Sequence, residues 1–537
     1  SRGSLVGGLI VARRCCTSSS SRSASNGFSI RRFGVVRKKS VSRFVTASPL
    51  LGTAQGLSVY VAGVRVNEPF GDTVNWDLLP QAAVAGLALI PGSNPAFGLN
   101  TLGGALAVRS KSGDTHAGTR IEAAAGSFGR QKTAFEHGGS QRENGLAWYL
   151  AADAFREDGW RDFSPSRASQ LFAKLSQRGA AADHDLALSR AVTRLTGNGL
   201  VPESMLASGR ARIFTHPDST GNELSQVALN SRWWLGAADS LTTTLYHRRT
   251  RTRTLNGDGN DDFEDGPFDG LSDQESGVHN RTATSQSGSV LAAQWNHSGE
   301  RRQLALGAAF DSAQMRFVQS AELGRLDASR GVAVTAAPVE ENSVLGRTRS
   351  ASLYLTDTFA LTPALALTAA ARFNSSHVSL RDQLKATAPN LDGDHAYRKL
   401  NPALGLTWQA APALNLYLGA SQGNRVPTPI ELGCADPANP CTLPNAMAAD
   451  PYLKQVVARS IEAGARGQLA GQLDWNAGVY RTVSSDDILF IGTSTSAGYF
   501  TNYGRTQRQG IELGLTAEQG AFDWRVNYSF LQASFRS

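Results

Sequence analysis

Four groups of residues have types and spacings that could do chemistry. Gly419-Ala-Ser-Gln-Gly423 has the G-x-S-x-G spacing in which a serine on a sharp strand-to-helix turn attacks an acyl group. The next residues, Asn424-Arg-Val-Pro-Thr-Pro429, hold two prolines that keep a helix from starting promptly. The match therefore reads as chance, and no enzyme activity is expected. Asn256-Gly-Asp-Gly-Asn-Asp-Asp-Phe-Glu-Asp265 clusters carboxylates as a calcium loop does. Counted from Asp258, however, the sixth position is Phe263, where such a loop needs glycine, so an acidic surface loop is expected. Cys434 and Cys441 flank the Pro-rich run Ala435-Asp-Pro-Ala-Asn-Pro440. A disulfide closing this short loop suits an oxidising compartment. The alternatives are two free thiols or half a metal site. The loop holds no His, which argues against zinc, and no metal or cofactor is expected. Arg249, Arg251 and Arg425 lie in or beside long polar segments. They could meet an anionic ligand through charge-assisted hydrogen bonds, or stand as unassigned charges.

The elements that must position these residues are strands. The 537-residue chain has no run of 18 or more apolar residues, so no membrane-spanning helix is expected. That leaves a barrel open, because barrel strands are apolar on one face only. After about residue 118 the pattern has period two. Leu400, Leu404, Leu406 and Trp408 share one face of 400–409, with Asn401, Thr407 and Gln409 opposite. Leu473, Trp475, Ala477 and Val479 oppose Asp474, Asn476, Tyr480 and Thr482. Ile511, Leu513 and Leu515 oppose Glu512 and Thr516. Each segment is about ten residues, enough for a tilted strand to cross a bilayer. Roughly fifteen to seventeen such segments can be counted. Tiny turns such as Ala410-Ala-Pro412 and Gln519-Gly520 join some of them, and long polar connections at 250–283, 312–347, 376–395 and 423–455 join others. Short turns at one end and long loops at the other describe a large antiparallel transmembrane β-barrel, an all-β fold, rather than stacked soluble sandwiches.

Charge is unevenly placed. Residues 1–45 hold ten of the 53 Lys and Arg and no acid, and the first acidic residue is Glu68. The remainder carries 43 basic against 45 acidic residues, so the formal +8 belongs to this Arg- and Ser-rich head. The head has transit-peptide composition but is read as sequence foreign to the fold. Basic residues in the body are scattered without an aromatic stripe, so no nucleic-acid partner is expected.

Before the barrel, Val59–Asn67 reads as a strand with a tight turn at Gly63. Pro69–Pro80 follows, with a short helix expected, and then the glycine-rich Pro91–Arg109, flanked by apolar strands at 87–90 and 104–109. Together with Ala125–Arg130, Glu157–Ser164, Asn424–Leu432, Ala449–Leu453, Ser460–Gly464 and Asn502–Gly514, in this order, the chain resembles a TonB-dependent outer-membrane receptor. The resemblance covers about 57–534. It implies a barrel of about 22 strands around a globular plug. Residues 46–115 would be the later part of the plug and 116–537 an incomplete barrel. The plug start, the TonB-contacting segment and the last strands would lie outside this sequence. Residues 1–537 alone are therefore expected not to restore growth on a ferric chelate in a receptor-null strain.

The resemblance further implies import of a scarce nutrient, a ferric siderophore or other iron chelate, driven by the inner-membrane TonB complex. A bacterial outer membrane supplies the surrounding lipid. In the family, wall glutamates matching Glu462 and Glu512 pair with plug arginines and lock the plug. The family's arginine before Phe-Gly is Ala96 here, so Arg65 or Arg109 would have to substitute. A passive porin or a structural, adhesive barrel is the alternative, and the plug-like 57–113 argues against it.

Overall fold

In the computed structural model, residues 3–5, 47–49, 53, 55–93, 95, 97–260, 275–384, 390–442, 447, 451–469, 473–494, 497–520 and 522–536 are described. Ala96, most of the basic head and residues 261–265 of the acidic run lie outside them. Two sheets account for nearly all the strands. The larger has 20 strands, 17 of them with 8 to 25 residues, running from Gly118–Ala125 to Phe522–Arg536. Each long strand pairs antiparallel with the next in sequence, as Asp239–Gly259 does with Gly277–Ser298. A three-residue strand, Gly3–Leu5, pairs with the last one.

The period-two pattern sets which face looks out. Leu404 and Ile461 are 60% and 62% exposed, whereas Asn401 and Thr482 on opposite faces are 4% and 9% exposed. In water such an apolar outer face would be costly; against lipid it is the stable arrangement. The polar face looks inward.

Strands run further than the alternation indicates. Asp239–Gly259, Gly277–Ser298, Arg302–Leu326 and Val339–Thr362 have 21, 22, 25 and 24 residues, about twice the roughly ten needed to cross a bilayer. Much of the expected loops at 250–283 and 312–347 is therefore strand. Past the lipid both faces meet water, and period two loses its amplitude.

The smaller sheet sits inside and orders its strands Val64–Arg65, Leu57–Val61, Gly104–Ser110, Val84–Pro91. Leu57–Val61 runs parallel to Gly104–Ser110 and the other pairs are antiparallel. Its core is Leu57, Val59, Val66, Val74, Leu79 and Leu106. Gly104 has φ +141°, and a Cβ there would meet Ile90 O at 2.4 Å, so only glycine closes this turn. Within Pro69–Pro80 the helical element is a single 3-10 turn, Trp76–Leu78, seven residues after Pro69, and a second, Gln81–Ala83, follows Pro80.

Candidate functional site

The chemistry concentrates where the inner sheet meets the wall. Val66–Thr73 forms a tight turn, with Glu68 N–H donating to Thr73 O at 2.8 Å and Asp72 N–H to Glu68 O at 2.9 Å. Arg65 pairs with Asp72 across its base. The turn thrusts Glu68 and Phe70 at the wall. Glu68 is 2% exposed and Arg248, on Asp239–Gly259, is 6% exposed. Arg248 Nη2 lies 2.8 Å from Glu68 Oε1, an oblique ion pair rather than a well-aligned hydrogen bond. Arg248 Nη1 donates to Val66 O at 2.8 Å, and Thr250 Oγ1 donates to Glu68 Oε2 at 2.7 Å. Phe70 stacks on Phe317 with centroids 5.0 Å apart, and its N–H donates to Gln286 Oε1 at 2.9 Å. One turn of the inner sheet thus grips three wall strands.

Two further anchors lie around the rim. Asp77 accepts from Asn222 Nδ2 at 2.9 Å and from Thr193 Oγ1, and its carbonyl accepts from Gln170. Arg372 reaches inward from the wall, donating to Ser352 Oγ at 2.6 Å, to Asn374 Oδ1 at 2.9 Å and to Pro95 O at 3.4 Å. Its guanidinium lies 4.9 Å from the Tyr354 ring.

Above the turn, the connection after Asn424-Arg425 folds into the lumen. Pro427 and Pro429 stop the strand, and Thr428 caps a helical turn, Pro429–Leu432, in a capping box with Glu431. Ile430 N–H donates to Phe70 O at 3.2 Å. Phe70, Phe317, Val344, Leu380, Ile430 and Leu432 share one buried cluster.

Between sheet and wall remains a cavity of about 480 Å³, lined among others by Tyr60, Arg65, Tyr246, Asp311, Tyr354 and Arg372. Tyr60 OH accepts the Gly98 N–H at 3.0 Å, and burial pushes its phenol above the ordinary value, so it stays protonated. Arginines and carboxylates are mixed, a lining that suits water and polar solutes.

The residues singled out in the sequence are distributed as follows. Arg249 and Arg251 are exposed on the outer face, and the inward neighbour is Arg248. Arg425 is buried and pairs with Glu431 at 2.7 Å. Arg65 pairs with Asp72, and Arg109 is exposed beside Gly86. Glu462 is half-buried opposite Gly419, and Glu512 is half-buried opposite Gly478. Cys434 and Cys441 are joined as a disulfide, Cα atoms 5.6 Å apart. Ser421 lies within the strand Leu414–Arg425 and not at a strand-to-helix turn. The sequence reading missed Glu68 and Arg248. The available signal was that Glu68 is the first acid of the chain and opens the Pro69-Phe-Gly turn.

Residues 122–537 match the family described as TonB dependent receptor-like, beta-barrel. Among solved structures, the ferric yersiniabactin uptake receptor FyuA from Yersinia pestis aligns with a TM-score of 0.69 at 14% identity, over 91% of this chain and 72% of that one. The ferric-catecholate import receptor Fiu from E. coli K12 gives 0.71 at 15%, over 92% and 75%. The copper transporter OprC gives 0.65 at 16%, over 89% and 71%. With more than half its length matched by the family, the chain belongs to the TonB-dependent receptors of the bacterial outer membrane.

Proposed function

We propose that this receptor imports an iron chelate, with residues 46–115 acting as a plug that the TonB complex displaces from the barrel at 116–537. One observation carries the reading: an inner sheet stands in the lumen and is tied to the wall by the buried Glu68–Arg248 pair. A passive pore has no use for such a clamp, whereas an energised importer needs a plug that holds at rest and yields to force. Relatives of the same fold, FyuA and Fiu, are receptors for ferric yersiniabactin and ferric catecholates. The fold also serves a copper transporter, so the cargo has to be read by experiment. The mixed polar lining of the 480 Å³ cavity would let a hydrated, chelated ion pass once the plug shifts.

The test is uptake of radiolabelled ferric citrate, ferric hydroxamate and ferric catecholate by cells expressing the whole gene, with tonB intact or deleted. The reading predicts accumulation of one ferric class that vanishes with tonB. Uptake indifferent to tonB would favour a passive barrel, and accumulation of copper alone would replace the iron reading.

A further inference from the structure

Six charged groups line the cavity beside the clamp: Arg65, Glu68, Asp72, Arg248, Asp311 and Arg372. Four of them make two pairs, Arg248 with Glu68 and Arg65 with Asp72. Arg372 and Asp311 are left over. Among the described residues neither makes an ion pair, and Asp311 accepts no hydrogen bond. Arg372 is nonetheless engaged, through Ser352 Oγ, Asn374 Oδ1 and Pro95 O. Asp311 is half-buried on the wall strand Arg302–Leu326. Water in the cavity can solvate its carboxylate but leaves the charge uncompensated, which is costly away from bulk solvent.

The pair on the inner sheet is only half made. Arg65 Nη2 meets Asp72 Oδ1, while Arg65 Nε and Asp72 Oδ2 are buried without a hydrogen-bond partner. A two-armed guanidinium–carboxylate fork would use those atoms. Arg65 is therefore held by part of what it can offer.

Register places Asp311 within its neighbourhood. Tyr246, Val290 and Asp311 form one row across three adjoining wall strands. Val64, next to Arg65, packs on Tyr246 of that row. Arg248 stands two residues further toward the long-loop end, about 7 Å along the strand at roughly 3.4 Å per residue. Asp311 thus lies on the short-turn side of the clamp, and short turns face the periplasm in outer-membrane barrels. The cavity of about 480 Å³ leaves room for the Arg65 side chain to change direction. A guanidinium parted from Asp72 inside the lumen is strongly disfavoured unless a second carboxylate receives it. On the plug reading above, we propose that Asp311 is that second partner. When Glu68 leaves Arg248, the sheet moves toward the short turns and Arg65 passes from Asp72 to Asp311. The shifted sheet is then held in a second defined position instead of being released without limit.

The test is single-channel recording of the whole chain in a planar bilayer, with neither cargo nor TonB present. In E68Q each opening should last as long as Arg65 stays on Asp311. Openings of E68Q/D311N should be at least about fivefold shorter in mean duration. E68Q/D311E, which keeps the charge, should retain most of the duration. D311N alone should stay closed like wild type, because Asp311 holds nothing at rest. E68Q/D311S repeats the measurement with a smaller side chain, and folding of each variant is checked by heat-modifiable migration on a gel. Three results overturn the proposal: equal durations in E68Q and the folded E68Q/D311N and E68Q/D311S, openings from D311N alone, or no openings from E68Q, which would leave no shifted position to hold. Loss of tonB-dependent uptake in the earlier experiment, with these durations as expected, would overturn the import reading and leave the Asp311 step standing.

Discussion

Removing one partner of the Glu68–Arg248 pair should loosen the inner sheet far more than its single contact suggests. Both groups are almost fully enclosed, at 2% and 6% exposure. In E68Q the Arg248 charge stays buried with only Val66 O and a neutral amide to face. Breaking a buried pair by losing one partner costs about 3–5 kcal/mol, mainly through the orphaned charge. At about 1.4 kcal/mol per tenfold, the released population rises between about 150- and 4,000-fold. R248Q should cost a similar amount, and E68Q/R248Q less than the sum, because two neutral amides leave no buried charge. T250V removes one hydrogen bond to a carboxylate and should cost about 1.5–3 kcal/mol. The assay is native-state cleavage by trypsin within 57–113, whose rate tracks the open population when opening and closing are fast. Strictly additive single and double variants, or cleavage of E68Q at the wild-type rate, would show that the buried pair does not hold the inner sheet.

Other perturbations have definite expected outcomes. G104A forces a side chain onto φ +141° and against Ile90 O, so the inner sheet should lose more than about 1–3 kcal/mol in urea unfolding, whereas G197A, with nothing within 4 Å, should be near neutral. C434S/C441S opens a loop with a sequence separation of 7, worth about 2.5 kcal/mol of loop-closure entropy, and should speed proteolysis of 426–455 while the barrel melt stays unchanged. L404R puts a charge on a 60% exposed, lipid-facing position and should cost about 2–4 kcal/mol for folding into bilayers, a loss that a water-soluble sheet would not show.

The wall was legible in the sequence wherever lipid touches it. Leu400, Leu404 and Trp408 against Asn401 already say which face is outside, because a bilayer enforces apolar residues at every second position. Above the lipid that constraint ends. His247-Arg-Arg-Thr-Arg-Thr-Arg253 is polar at every position, so nothing in it tells Arg248 from Arg249, and one residue of parity separates the inner clamp from the outer face. The clamp itself joins Glu68 to residues some 182 positions away, a pairing that only closure of the barrel creates. The expected lock supposed arginines on the inner sheet and glutamates on the wall. The buried pair at this seam has the opposite polarity, and Arg372 likewise reaches from the wall to Pro95 O. The glycine-rich turn was readable because Gly104 answers a local steric demand.

On the proposed function, the clamped inner sheet closes the lumen at rest. Single-channel conductance of the whole chain in a planar bilayer reads that closure. Wild type should carry no steady current, and E68Q should show stepwise openings at the same voltage. A steady ohmic current from wild type, equal to that of E68Q, would contradict it.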